Sequence, residues 1–133
     1  GGILISEILE AGKEKLGHVK RLILQPNNHE ESLRQWLVNH QFVIKKEEIL
    51  LEAGKFYEII VAEPLSKLMT EKLSVNDLTF GPFLSKEKST VFQQKWQKEL
   101  NTLNKIIARL PEEQAKKRQE VLNQIARIEE VLR

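Results

Sequence analysis

The sequence predicts an α/β chain that ends in a helical hairpin, and three observations carry that prediction. The strand-like run Arg21–Gln25 stops at the rigid polar turn Gln25-Pro26-Asn27 and leads straight into the amphipathic stretch Glu30–His40. Val43–Leu51 and Lys55–Ala62 are strand-like runs joined by Glu52-Ala-Gly-Lys55, which reads as a β-hairpin. From Lys86 onward the apolar residues step by three or four over two long segments, as in paired helices. One helix, one strand, one helix and a closing hairpin make the back half of an open α/β sheet. The start on Gly1-Gly2, with no initiator methionine, reads as a beginning inside a domain.

Each element follows from its spacing. Ile3, Leu4, Ile8, Leu9 and Leu16 share one helical face, with Glu7, Glu10, Lys13 and Glu14 outward and Gly17 as the expected C-cap. Val19, Leu22, Ile23 and Leu24 form a short apolar run suited to a strand covered on both faces in a mostly parallel sheet, and Pro26 ends it. Glu30 and Glu31 sit in the first turn of the next helix, where the dipole favours acids. Its buried stripe is Leu33, Trp36 and Leu37, and Asn27 or Asn28 is the natural cap. Phe56–Ala62 is the most β-prone segment, with Glu58 as its one internal charge, and is expected to be a central strand. Hairpin geometry makes it antiparallel to Arg21–Gln25, and the crossover rule gives the local strand order first, third, second.

Pro64 closes this first region, residues 1–63. Residues 64–85 read as a linker with short helical possibilities and a Phe80-Gly-Pro-Phe83 turn. Residues 86–133 read as an antiparallel, coiled-coil-like helical hairpin. Its stripes are Phe92, Trp96, Leu100, Leu103, Ile107 and Leu110, then Ala115, Leu122, Ile125, Ile128 and Leu132. Pro111 suits the first position of the second helix, with Glu112 and Glu113 following in its first turn.

Composition narrows the function classes. The 133 residues allow one modest domain or a small domain with an appendage, and 41% hydrophobic with 30% charged residues argues against disorder. The lack of cysteine removes thiolate nucleophiles, disulfides and Cys-ligated zinc, and fits a reducing compartment. No apolar run approaches the roughly 20 residues of a transmembrane helix and no leader precedes Ile3, so a cytoplasmic location without membrane association is expected. Residues 1–63 carry eight basic and ten acidic side chains, whereas residues 64–133 carry thirteen and nine. A basic appendage on a slightly acidic body is the pattern of an electrostatic handle for a polyanion.

Gly1-Gly2-Ile-Leu-Ile, Leu22-Ile-Leu-Gln-Pro-Asn27, Leu33-Arg-Gln-Trp-Leu37 and Tyr57-Glu-Ile-Ile-Val-Ala-Glu63 together resemble the later part of the bacterial tRNA adenine-N1-methyltransferases that modify adenine 22. Phe80-Gly-Pro, Lys86-Glu-Lys and Trp96 before a helical hairpin resemble that family's C-terminal domain, so the resemblance covers essentially the whole chain. It implies the back half of a Rossmann-like class I methyltransferase sheet, with its last strand antiparallel, and S-adenosylmethionine as cofactor. Gly1 and Gly2 would be the last two glycines of the family's Gly-Met-Gly-Gly turn and would border the cofactor. The family's glycine-rich loop and ribose-binding acid would lie before Gly1, so this chain alone would hold an incomplete cofactor site and no identified catalytic residue.

The remaining residues still suit the chemistry. Adenine N1 is nucleophilic toward a sulfonium methyl, so orientation, an extruded base and a dry pocket are the main requirements. Gln25 and Asn27 can hydrogen-bond a base edge or ribose while Pro26 holds their backbone; turn chemistry alone also accounts for these residue types. Phe56 and Tyr57 belong at the same end of the sheet, as pocket-lining or stacking residues or as ordinary sheet packing. His18, His29 and His40 have no spacing that would converge on a metal, and none is expected. Phosphate contacts to tRNA would come from Lys67, Lys72, Lys86, Lys88, Lys95, Lys98, Lys105, Arg109, Lys116, Lys117 and Arg118, the last three forming the tightest cluster. The rival reading is a non-catalytic RNA- or protein-binding module, and the helical stripe could also serve a homodimer.

Overall fold

The computed structural model describes residues 1–66 and 72–133, and Lys67 lies outside the described residues. Two compact units divide the backbone, residues 1–87 and 88–133. The first contains α1 (Gly2–Ala11), β1 (Leu22–Leu24), α2 (Glu30–Asn39), β2 (Phe42–Glu52), β3 (Lys55–Pro64), α3 (Val75–Phe80) and α4 (Leu84–Glu87). The second contains α5 (Thr90–Arg109) and α6 (Ala115–Leu132).

The three strands are ordered β1-β3-β2, and β3 runs antiparallel to both neighbours. Residues 55–64 thus form the middle strand, as their β-prone composition predicts. The turn between β2 and β3 holds Ala53 and Gly54 at φ 50° and 77°, the left-handed pair that a tight hairpin requires. On one face of the sheet, Ile60, Ala62, Ile44 and Phe42 pack with Leu33, Trp36 and Leu37 of α2 and Leu9 of α1. Burying each of the Leu, Ile and Phe side chains stabilises by about 1.5–3 kcal/mol.

β2 contains a register shift between Ile44 and Lys46. Ile44 lies opposite Ala62, but Glu47 lies opposite Ile60, so one residue is left out of the pairing. Because side-chain direction alternates along a strand, the extra residue changes which set of β2 side chains faces the core. Glu47 is brought inside by this shift.

Several expectations need correction. α1 ends at Ala11 with Gly12 as its C-cap, and a 3-10 turn over Lys13–His18 takes in Gly17. Of its expected apolar face, Leu9 is buried whereas Ile3, Leu4 and Ile8 are exposed. β1 is not covered on both faces, since Ile23 is 68% exposed. α2 begins after His29, so His29, at φ 51° and with no side-chain cap bond, holds the N-cap position in place of Asn27 or Asn28.

The stretch read from sequence as a linker carries α3 and the start of α4. Ser74 caps α3 reciprocally with Asp77, at 3.0 and 3.1 Å. α3 packs on α2, and α4 touches β2.

In the second unit, Phe92, Trp96 and Leu103 are buried on α5, and Val121, Ile125 and Ile128 on α6. Val121, not Leu122, completes the α6 seam, and Leu122 is exposed. The helices are antiparallel: Lys88 Nζ donates to Arg133 O at 2.5 Å, and Arg118 Nη1 donates to Ile107 O at 3.2 Å. Pro111 opens the connecting turn and does not start α6, because Gln114 N donates back to Pro111 O at 3.1 Å and helix begins at Ala115. Among the described residues, no helix is long and apolar enough to cross a membrane.

Candidate functional site

The polar corner after β1 is built from both sides. Antiparallel pairing sets Leu24 opposite Ile60, and the next bond along, Glu58 N to Pro26 O at 3.0 Å, fastens the turn to β3. Pro26 is fully buried, whereas Gln25 and Asn27 on either side are exposed. A fixed, buried proline between two exposed amides holds their backbone still while leaving their side chains available. On the other side, Gly2 N donates to Asn28 O at 2.6 Å.

Gly1 and Gly2 are therefore explained by close approach. A Cβ on Gly1 would overlap Asn28 Oδ1, and one on Gly2 would overlap His29 O. The space beside these glycines is filled by the turn itself. Following β3 in register, Tyr57 and Phe56 come past Glu58 toward the end of the sheet where Asn27 lies, and both are half-buried. The fold thus gathers Gly1, Gly2, Gln25, Pro26, Asn27 and Tyr57 at the C-terminal end of β1, with Phe56 next along β3. Ligands of open α/β sheets bind at that end.

Behind this corner lies a buried ion triad that the sequence reading missed. Arg34 of α2 donates from Nε to Glu47 at 2.8 Å and from Nη2 to Glu58 at 2.5 Å, and all three side chains have no exposed surface. Its third arm, Nη1, donates to Leu78 O at 3.0 Å. Glu47 also accepts from the amides of Phe83 and Leu84, at 3.0 and 3.4 Å. Burial opposes the guanidinium charge, but the Glu58 and Glu47 carboxylates outweigh it and hold Arg34 above its ordinary pKa. Gly81, at φ 93°, makes room for the triad, since a Cβ there would sit 2.6 Å from Glu47 and 2.8 Å from Arg34. The signal in the sequence was Glu58 itself, a lone charge in the most apolar strand.

A second polar cluster lies on the surface between α1 and α2. Glu10 accepts from Trp36 Nε1 at 3.0 Å and meets His40 Nε2 at 2.9 Å and Lys13 Nζ at 3.0 Å. The His40 ring stacks on Trp36 with centroids 4.0 Å apart. Hydrogen bonds from Lys13 and Trp36 hold the Glu10 carboxyl below the ordinary carboxylate range. Among the described residues, no group of three or more His, Asp or Glu could hold a metal ion.

The basic residues divide by use. Lys88 and Arg118 tie the hairpin together, and Lys95 lies over the Trp96 ring at 5.0 Å. Lys98, Lys105 and Arg109 are exposed and, at 100° per residue, fall on one face of α5. The Arg118 bond brings exposed Lys116 and Lys117 to the α5 end that carries Arg109. Lys72 and Lys86 are exposed on the first unit.

Comparison with known proteins gives these features a family. Residues 1–130 match the model of the tRNA (adenine(22)-N(1))-methyltransferase family. The tRNA (adenine(22)-N(1))-methyltransferase of Bacillus subtilis (strain 168) is 39% identical over 139 residues, covering 99% of this chain and 58% of that protein. Streptococcus pneumoniae Sp1610 superposes with a TM-score of 0.94 at 53% identity, over 100% of this chain and 58% of its own. A crystal structure of Sp1610 in complex with S-adenosyl-L-methionine superposes with a TM-score of 0.88 at 52% identity, over 100% of this chain and 56% of that one. The chain therefore spans about 58% of the length of the curated relative it matches. By this match, carried through both units, the chain belongs to the tRNA (adenine(22)-N(1))-methyltransferase family.

Proposed function

We propose that this chain is part of a bacterial, cytoplasmic enzyme that methylates N1 of an adenine in tRNA using S-adenosylmethionine. The observation that carries the reading is the convergence of Gly1, Gly2, Gln25, Pro26, Asn27 and Tyr57 at one end of the sheet. Residues 1–87 supply the later part of the methyltransferase domain, and residues 88–133 hold the tRNA.

The cofactor, when bound, supplies an electrophilic methyl group. The work left to this chain is positional. Asn27 and Gln25 present amide groups to a base edge, and the buried Pro26 fixes their spacing. Tyr57, with Phe56 next along the strand, offers an aromatic surface for a base taken out of its stack. No covalent intermediate with the protein is needed, because adenine N1 is itself nucleophilic toward a sulfonium methyl.

The basic face of the hairpin is the proposed phosphate contact, reading tRNA by shape and charge. The test is transfer of labelled methyl from S-adenosylmethionine to tRNA by the complete protein that contains this chain. Replacing Lys116 and Lys117 by alanine, which leaves the Arg118 tie to Ile107 O intact, is expected to weaken tRNA binding and lower the slope of log affinity against log salt by roughly 1.5 to 2. Absence of label at adenine N1 would sink the catalytic reading, and an unchanged salt slope would remove the hairpin tip from the tRNA interface.

A further inference from the structure

The two carboxyl groups on Arg34 carry different loads. Glu47 is committed to the segment after α3, through the amides of Phe83 and Leu84. Glu58 belongs to the residue whose own backbone amide holds Pro26 O at 3.0 Å. Arg34 stands on α2, the helix that starts three residues after Asn27, so the turn is gripped at one end by β3 and continued at the other by α2. The Arg34–Glu58 pair joins those two elements directly beneath the turn. An apolar pair in this place would cost less desolvation, so what the ions supply is one fixed arrangement of helix and strand.

We propose that Glu58 and Arg34 are positioning residues for the Gln25–Asn27 turn, setting where Asn27 meets the adenine, while Glu47 serves the attachment of residues 78–84. This deepens the methyltransferase reading and rests on it.

The test compares Glu58→Gln with Glu47→Gln in the complete protein. Each removes one fully buried carboxyl charge from the same guanidinium, so a merely structural role predicts similar losses of Tm and of activity. The expected result is a kcat lowered about tenfold in E58Q with KM for S-adenosylmethionine unchanged, short of the roughly hundredfold cost of a 1 Å misplacement. E47Q, at a comparable Tm loss, should keep kcat within about twofold, consistent with an unmoved turn. Equal kcat losses in the two variants, or none in E58Q, would overturn the proposal. Where a glutamine variant does not fold, Glu58→Asp and Glu47→Asp make the same comparison with the charge retained. Hydrogen exchange at the amides of Gly2 and Leu33, which donate to Asn28 O and His29 O, is read in parallel and should quicken in the Glu58 variant alone. If the wild-type protein fails to methylate tRNA, the functional reading falls while exchange still decides the positioning role; exchange that is equal in both variants overturns that role.

Discussion

In the hairpin unit, Phe92, Trp96 and Leu103 of α5 lie buried with Val121, Ile125 and Ile128 of α6, whereas the core of the sheet unit admits a guanidinium and two carboxyl groups among its apolar side chains. The hairpin is thus held by a seam that asks only for apolar volume at the right spacing. The sheet unit asks for particular atoms at particular places, because each triad member leaves another unsatisfied when it is removed. Charge is divided the same way. The hairpin unit carries ten basic against six acidic side chains, and its cations are largely exposed. The sheet unit spends Arg34 inside.

This difference predicts opposite responses to conservative substitution. Arg34→Met should destabilise the sheet unit by about 3–5 kcal/mol, since two buried carboxyl groups lose their partner. Leu103→Ala should cost the hairpin a similar amount, about 2–5 kcal/mol. The conservative changes then separate the units: Leu103→Met should recover to within about 1.5 kcal/mol of wild type. Arg34→Lys should recover little, because an ammonium cannot reach Glu47, Glu58 and Leu78 O in the fork geometry of a guanidinium. Urea unfolding followed by residue-level hydrogen exchange checks all four, and full rescue by lysine would break the comparison.

A smaller effect is expected at Gly81. Gly81→Ala combines a positive φ with overlap on Glu47 and Arg34, for a loss of about 1–3 kcal/mol. The exchange change should centre on residues 78–87 and on the parts of α2 and β2 that carry Arg34 and Glu47, and spread into the hairpin would contradict it.

The smallest effect belongs to the surface cluster. The Glu10 carboxyl is held below its ordinary pKa in the folded state, so its contribution is present above the unfolded value and is lost as pH falls through the folded one. The Tm of wild type should exceed that of Glu10→Gln near neutrality, and the gap should close on acidification below the ordinary carboxylate range. A gap that persists in strong acid would assign the effect to packing.

The same contrast explains how much was legible from sequence. Helical stripes announce themselves by spacing, so the hairpin and α2 were readable, as were the strand order and the polar corner. Val121 replaced Leu122 because two adjacent apolar residues leave the seam ambiguous by one position. α1 was over-extended because its apolar residues continue to Leu16 while Gly12 breaks the helix. The triad was hidden for a different reason. Simple alternation from Ile44 puts Lys46 and Glu48 on the core face, and nothing in the residue types marks the register shift that substitutes Glu47. Arg34 sits beside Leu33 on the helical stripe, where an arginine reads as solvent-facing unless its partners are known.

That register shift leaves β2 with one residue its pairing does not count. Shortening the strand by a single residue at Lys45 would keep every side chain from Lys46 to Glu52 on its present face, because the regular pairing would simply close up. The same shortening at Glu48 would turn over part of the strand and send either core or surface residues to the wrong side. In length, as distinct from composition, β2 has slack at this one place, and a one-residue deletion that closes up the pairing there would be ruinous three residues further on.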